Sequence, residues 1–152
     1  MRALTHEKET LFQQLYALKI APVSGLAAFL RAVKEAGMPT ALATSAPQMN
    51  VDFVFDKPGI RSYFQTVITD ADVPAGKPDP AVVKIAAERL PAPASRCVVF
   101  DDSAKGVDAA QRADMALVGL TVSHEPEATE KADLVIDDYT QVNLDHIFSL
   151  IR

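Results

Sequence analysis

Five short apolar runs, each set apart from the next by a stretch of helical period, constrain this chain more than any other feature. The runs lie at residues 40–44, 66–69, 97–101, 116–120 and 134–136 and are of strand length. Between them, Leu26, Phe29, Leu30 and Val33 follow the i, i+3, i+4, i+7 rule over residues 25–36, and Gly37 ends that helix. A helix opened by Ser45 and Pro47 carries Val51, Val54 and Phe55 and stops near Pro58 and Gly59. Asp79 as cap and Pro80 in the first helical position open another, which Pro91 and Pro93 close. Ser103 begins a helix that ends near Asp114, and residues 144–151 read as a short terminal helix. A first helix is expected over residues 5–19, with Leu11, Phe12, Leu15 and Tyr16 on one face. Strand–helix–strand alternation predicts an α/β layer fold with a mainly parallel sheet and right-handed crossovers.

The 152 residues suit one domain, long enough to bury a core without metal or disulfide staples. No apolar run approaches the ~20 residues of a membrane helix, and residues 1–10 lack the apolar stretch of a signal peptide. The single cysteine, Cys97, excludes an internal disulfide and reads as a small buried hydrophobe. A cytoplasmic location is the default. The formal charge of −5, without a basic run, argues against nucleic-acid binding.

In parallel sheets of this kind ligands sit beyond the carboxyl ends of the strands. The first strand delivers Thr44 and Ser45 there. Gly76-Lys77-Pro78-Asp79-Pro80 follows the second, and Asp101-Asp102-Ser103 ends the third, with Gly106 three residues on. A hydroxyl, an ammonium and two carboxylates from three strand ends suit a phosphate and a magnesium ion. Hydroxyls and helix-terminal amides donate to phosphate oxygens, and lysine offsets the charge. Magnesium takes one or two carboxylates plus waters and phosphate. Each group also has an ordinary reading: Thr44 and Ser45 as helix caps, Lys77 as a surface residue, Asp101 and Asp102 as caps in solvent. Their order and their position at strand exits favour the site.

These residues resemble the motifs of the haloacid dehalogenase superfamily. Thr44-Ser45 is similar to its second motif, Gly76-Lys77-Pro78-Asp79-Pro80 to its lysine motif, and the run from Val98 to Gly106 to its acidic motif. The subgroup resembled is that of β-phosphoglucomutase and phosphoglycolate phosphatase, over residues 11–136. The resemblance implies a three-layer Rossmann-like sandwich with a helical cap and a small phosphorylated metabolite as substrate. It implies that Thr44 and Ser45 hold phosphate and that Lys77 neutralises phosphate and nucleophile. Asp102 would ligate magnesium directly, with Asp101 nearby through water. The reaction implied is attack by an aspartate on phosphorus, then release of the phosphoryl group to water or to a sugar.

The family pattern opens with an apolar strand ending in Asp-x-Asp-Gly, and nothing before Thr44 fits it. Asp70-Ala71-Asp72 mimics it, but Val73 stands where glycine should, and the segment reads as a loop; Asp137-Asp138 reads as the exit of the last strand. Asp114 stands where the family usually has glycine. The chain is therefore expected to be one core domain over 1–152, with residues 1–20 a remnant of the cap and 21–152 the Rossmann-like core. The usual central first strand would be lacking. Leaving two rows of backbone groups buried and unpaired costs roughly 1–3 kcal/mol per group, so either the two flanking strands pair directly, or another segment fills the place, or the fold rearranges; of these a homodimer or a complementing segment is the expectation. Without the nucleophile the isolated chain should turn over little or no phosphomonoester. The alternatives are a non-catalytic phosphate- or magnesium-binding module, a fragment with no function of its own and a metal-independent dehalogenase; the last does not need the Asp101-Asp102 pair.

Overall fold

The computed structural model describes residues 23–44, 46–56, 59–122 and 126–151. The helix expected over 5–19 and the side chain of Ser45 lie outside them. The elements in chain order are α1 (Leu26–Glu35), β1 (Ala41–Ala43), α2 (Gln48–Asp56), β2 (Thr66–Ile68), α3 (Ala81–Arg89), β3 (Val98–Asp101), α4 (Ala104–Arg112), β4 (Ala116–Leu120), β5 (Leu134–Ile136) and α5 (Leu144–Leu150). Every strand pairing is parallel, as the alternation predicts. The strands form two ladders, β1–β2 and β3–β4–β5. Among the described residues no strand pairs with the other edge of β1 or of β3.

The pleat sorts side chains into two faces, because successive strand residues point opposite ways. Leu42 and Val67 pack with Leu30 of α1 and with Val51 and Phe55 of α2. Val98, Phe100, Val118, Leu120 and Ile136 pack with Phe29 and Val33 of α1 and Ile147 of α5. Ala41, Ala43, Ile68, Cys97 and Val99 face the other way, onto Val82, Val83, Ala86 and Ala87 of α3 and Ala109 of α4. The result is a three-layer α/β sandwich, with α1, α2 and α5 on one face and α3 and α4 on the other. Full burial of a valine such as Val118 contributes roughly 2 kcal/mol. α3 packs against β1, β2 and α4, and so spans the two ladders.

Local chemistry trims the expected boundaries. Pro80 flanks α3 instead of opening it, and Asp79 Oδ1 accepts from Ala81 N at 2.8 Å. Thr69 leaves β2 to cap a single helical turn, Asp70–Asp72, in which Asp72 Oδ2 accepts from Thr69 N at 2.8 Å. The Asp-x-Asp mimic is thus a capped turn. Asp138 likewise caps the turn Tyr139–Gln141 through Thr140 N. Asp114, at the end of α4, adopts φ 54°, a left-handed conformation that glycine takes without strain and aspartate tolerates.

Candidate active site

The sequence around β3 builds the acidic side of the site. Phe100 turns towards α1, so Asp101, next in the pleat, turns towards α4. There Gly106 makes room for it: a Cβ on Gly106 would lie 1.9–2.1 Å from the Asp101 carboxyl atoms. Ser103 caps α4 by accepting from Gly106 N at 3.0 Å, while its own N–H and hydroxyl both donate to Asp101 Oδ1 at 2.9 Å. Asp101 Oδ2 accepts from Lys77 Nζ at 2.7 Å. The pair is nearly enclosed, with side-chain exposures of 15% for Lys77 and 8% for Asp101. Low dielectric makes such a contact strong and its loss costly.

Asp102 differs from its neighbour. It is half-buried, and burial pushes its carboxyl above the ordinary 3.8, with the charge of Asp101 adding to the rise and Lys77 opposing it. A desolvated carboxylate beside a second carboxylate is a group that a cation would relieve. The side formed by Thr44 and Lys77 is built differently. The Lys77–Pro78 peptide is cis. Thr44, at the exit of β1, donates its N–H to Ile68 O at 3.0 Å, and its Oγ1 accepts from Ala46 N at 3.1 Å. That bond closes a turn ahead of α2 without reaching the helix itself, and a hydroxyl that accepts one bond still has its own O–H to donate.

One open cavity of about 470 Å³ brings these groups together: Thr44, Lys77, Asp101, Asp102 and Ser103 line it, with Phe100 and Tyr139. Four of the five candidate residues therefore converge, and Ser45 lies outside the described residues. Sequence reasoning took Ser103 as a helix start within the acidic motif, without a role of its own; the spacing Asp101-x-Ser103-x-x-Gly106 was the signal that it also holds Asp101. Tyr139 was missed entirely. The residues present fit magnesium in kind: two carboxylates, with the remaining positions left to water and phosphate. Among the described residues there is no cluster of three or more His, Cys, Asp or Glu side chains that could hold a metal.

Comparison with known proteins agrees with this geometry. The model of the haloacid dehalogenase-like hydrolases matches residues 2–114. The chain is 34% identical over 125 residues to the validoxylamine A 7'-phosphate phosphatase of Streptomyces hygroscopicus, covering 82% of this chain and 59% of that protein. It is 36% identical over 107 residues to the phosphorylated carbohydrates phosphatase of Thermotoga maritima, covering 70% and 48%. Among solved structures, a putative β-phosphoglucomutase from Thermotoga maritima superposes with a TM-score of 0.73 at 28% identity, over 81% of this chain and 59% of that one. A family IA hydrolase from Entamoeba histolytica shares the fold with a TM-score of 0.88 at 24% identity, over 99% and 70%. This chain spans roughly half to three-fifths of the curated relatives just named. With its motif residues gathered at the strand exits of a parallel α/β sandwich, the chain belongs to the haloacid dehalogenase-like hydrolases.

Proposed function

We propose that this chain forms the phosphate- and magnesium-binding side of a phosphohydrolase or phosphotransferase that acts on a small phosphorylated metabolite in the cytoplasm. The observation that carries the reading is the convergence of Thr44, Lys77, Asp101 and Asp102 on one cavity from three strand ends. Thr44 donates to a phosphoryl oxygen, with Ser45 beside it in sequence. Lys77, held by Asp101, sets a fixed positive charge where the phosphoryl group binds. Asp102 is the direct magnesium ligand, and Asp101 acts nearby through water. Magnesium, when bound, polarises the phosphoryl oxygens and offsets their charge.

Attack on phosphorus needs a carboxylate that the described part of the cavity does not provide. Asp101 has both oxygens engaged, by Ser103 and Lys77, and Asp102 serves the cation. The nucleophile belongs on a further strand between β1 and β3, whose other edges carry no ladder among the described residues. A second copy of the chain or a complementing segment supplies what fills that place. The isolated chain binds ligand without turning it over, which is also what a non-catalytic binding module would do.

Two measurements on the purified chain test this. Magnesium with inorganic phosphate, at a hundred times the dissociation constant, should raise stability by roughly 2.7 kcal/mol, and no rise would overturn the binding site. Turnover of a generic phosphomonoester should be absent. Normal magnesium-dependent turnover that Lys77→Ala abolishes would overturn the claim that the nucleophile lies elsewhere.

A further inference from the structure

Tyr139 sits in the turn after β5, far in sequence from every motif residue, yet it lines the same cavity as Thr44, Lys77 and Asp102. Its position is set by contacts on three sides. The ring stacks on Phe100, the residue before Asp101, with centroids 5.7 Å apart and planes at 27°. It also meets Phe29 of α1 at 5.5 Å. Its backbone N–H donates to Ser24 O at 3.0 Å. Gly25, at φ 81°, lets the turn lie directly on the start of α1, since a Cβ there would meet Thr140 N at 2.9 Å and Tyr139 C at 3.0 Å. The ring is thus clamped between helix and sheet.

Its hydroxyl is another matter. Tyr139 is only partly buried, so its O–H is open to water or to a ligand. Asp101 and Asp102 are near enough to act on that hydroxyl through their charges. Burial first, then those two carboxylates, push the phenol up to about 12. A tyrosine hydroxyl is protonated at neutral pH, and towards an anion it donates.

We infer that Tyr139 is a binding residue for the phosphoryl ligand, donating its hydroxyl to a ligand oxygen from the wall of the cavity that Thr44 and Lys77 also line. The inference rests on the phosphate reading of the cavity. It adds a neutral donor, set by the aromatic stack, to the charged and hydroxyl groups at the strand ends. Such a donor discriminates in favour of an oxyanion at low entropic cost, because the ring is already immobilised.

The test is calorimetric titration of the chain with inorganic phosphate at saturating magnesium, and with magnesium alone, for wild type, Tyr139→Phe and Lys77→Ala. Tyr139→Phe keeps the ring and its stack and removes only the hydroxyl. It should weaken phosphate binding by about tenfold or more, as loss of a hydrogen bond to a charged group does. The affinity for magnesium alone and the thermal midpoint should stay as in wild type. Lys77→Ala should also weaken phosphate. If Lys77→Ala weakens phosphate and Tyr139→Phe does not, the tyrosine inference is overturned and the cavity reading stands. If phosphate does not bind to wild type, or Lys77→Ala leaves it unchanged, both are overturned. A loss for magnesium equal to that for phosphate would place the hydroxyl at the cation, and a fall in thermal midpoint matching the lost affinity would make it structural; either result overturns the inference.

Discussion

Strands β3 and β4 are neighbours in one ladder, yet they meet solvent differently. All five residues of β4 are buried. Those of β3 are half-buried throughout, as are those of β1 in the other ladder. The side chains do not account for this, since Val98, Val99 and Phe100 are as apolar as Leu117, Val118 and Leu120. Pairing does: among the described residues β4 is paired along both edges, and β1 and β3 each along one. The half-open strands are also the ones that present Thr44 and Asp101. Among the described residues the candidate site therefore sits where the ladders part, and the most enclosed packing where they are continuous.

The Lys77–Asp101 pair ties the two ladders at their carboxyl ends, and breaking it should have the largest effect. Lys77→Met leaves the Asp101 carboxylate enclosed without its cation and should cost about 3 kcal/mol in urea unfolding. The double variant Lys77→Met/Asp101→Asn should recover much of that, with a coupling of about 2 kcal/mol, because neither charge is then stranded. Additive losses would mean that the pair does not join the ladders energetically. The contrast in burial predicts the next effect. Leu117→Ala, at 1% exposure in β4, should cost about 3 kcal/mol, while Leu42→Ala in half-open β1 should cost about 1 kcal/mol. Equal losses would show that something covers β1 in solution, as a second copy or complementing segment would.

Much of this was legible in the letters, for identifiable reasons. The alternation of periods located every described strand to within a residue or two, because parallel strands buried on both faces are short unbroken apolar runs. Thr44, Lys77, Asp101 and Asp102 were found because each follows such a run, and strand exits in parallel sheets converge. Boundaries slipped where a side chain competed for the backbone, as Thr69 does in capping its own turn and Asp79 in bonding Ala81 N. The unequal states of Asp101 and Asp102 could not be read from two identical letters. They follow from the pleat, from the space Gly106 leaves and from the reach of Lys77. Tyr139 was invisible because its place depends on the packing of Phe29, Phe100 and the turn after β5, which no local pattern encodes.

That inequality of two adjacent aspartates gives the smallest expected effect and the finest probe of the acidic half. Burial, followed by the charge of Asp101, holds the Asp102 carboxyl above its ordinary 3.8 in the folded chain. The folded state then binds the Asp102 proton more tightly than the unfolded chain does. Stability from this group is fully present below the unfolded value and is lost as pH rises through the folded one. Asp102→Asn removes the titration. Without magnesium the variant should be more stable than wild type at pH 7, with the difference closing as pH falls towards 3. Magnesium should reverse the order at pH 7, because wild type gains a cation on a desolvated carboxylate and the amide gives it none. Thermal midpoints of both proteins at the two pH values, with and without magnesium, decide it. A variant that is no more stable at pH 7, or that gains as much from magnesium as wild type, would show that the two carboxylates share one environment and that Asp102 is not the group awaiting a cation.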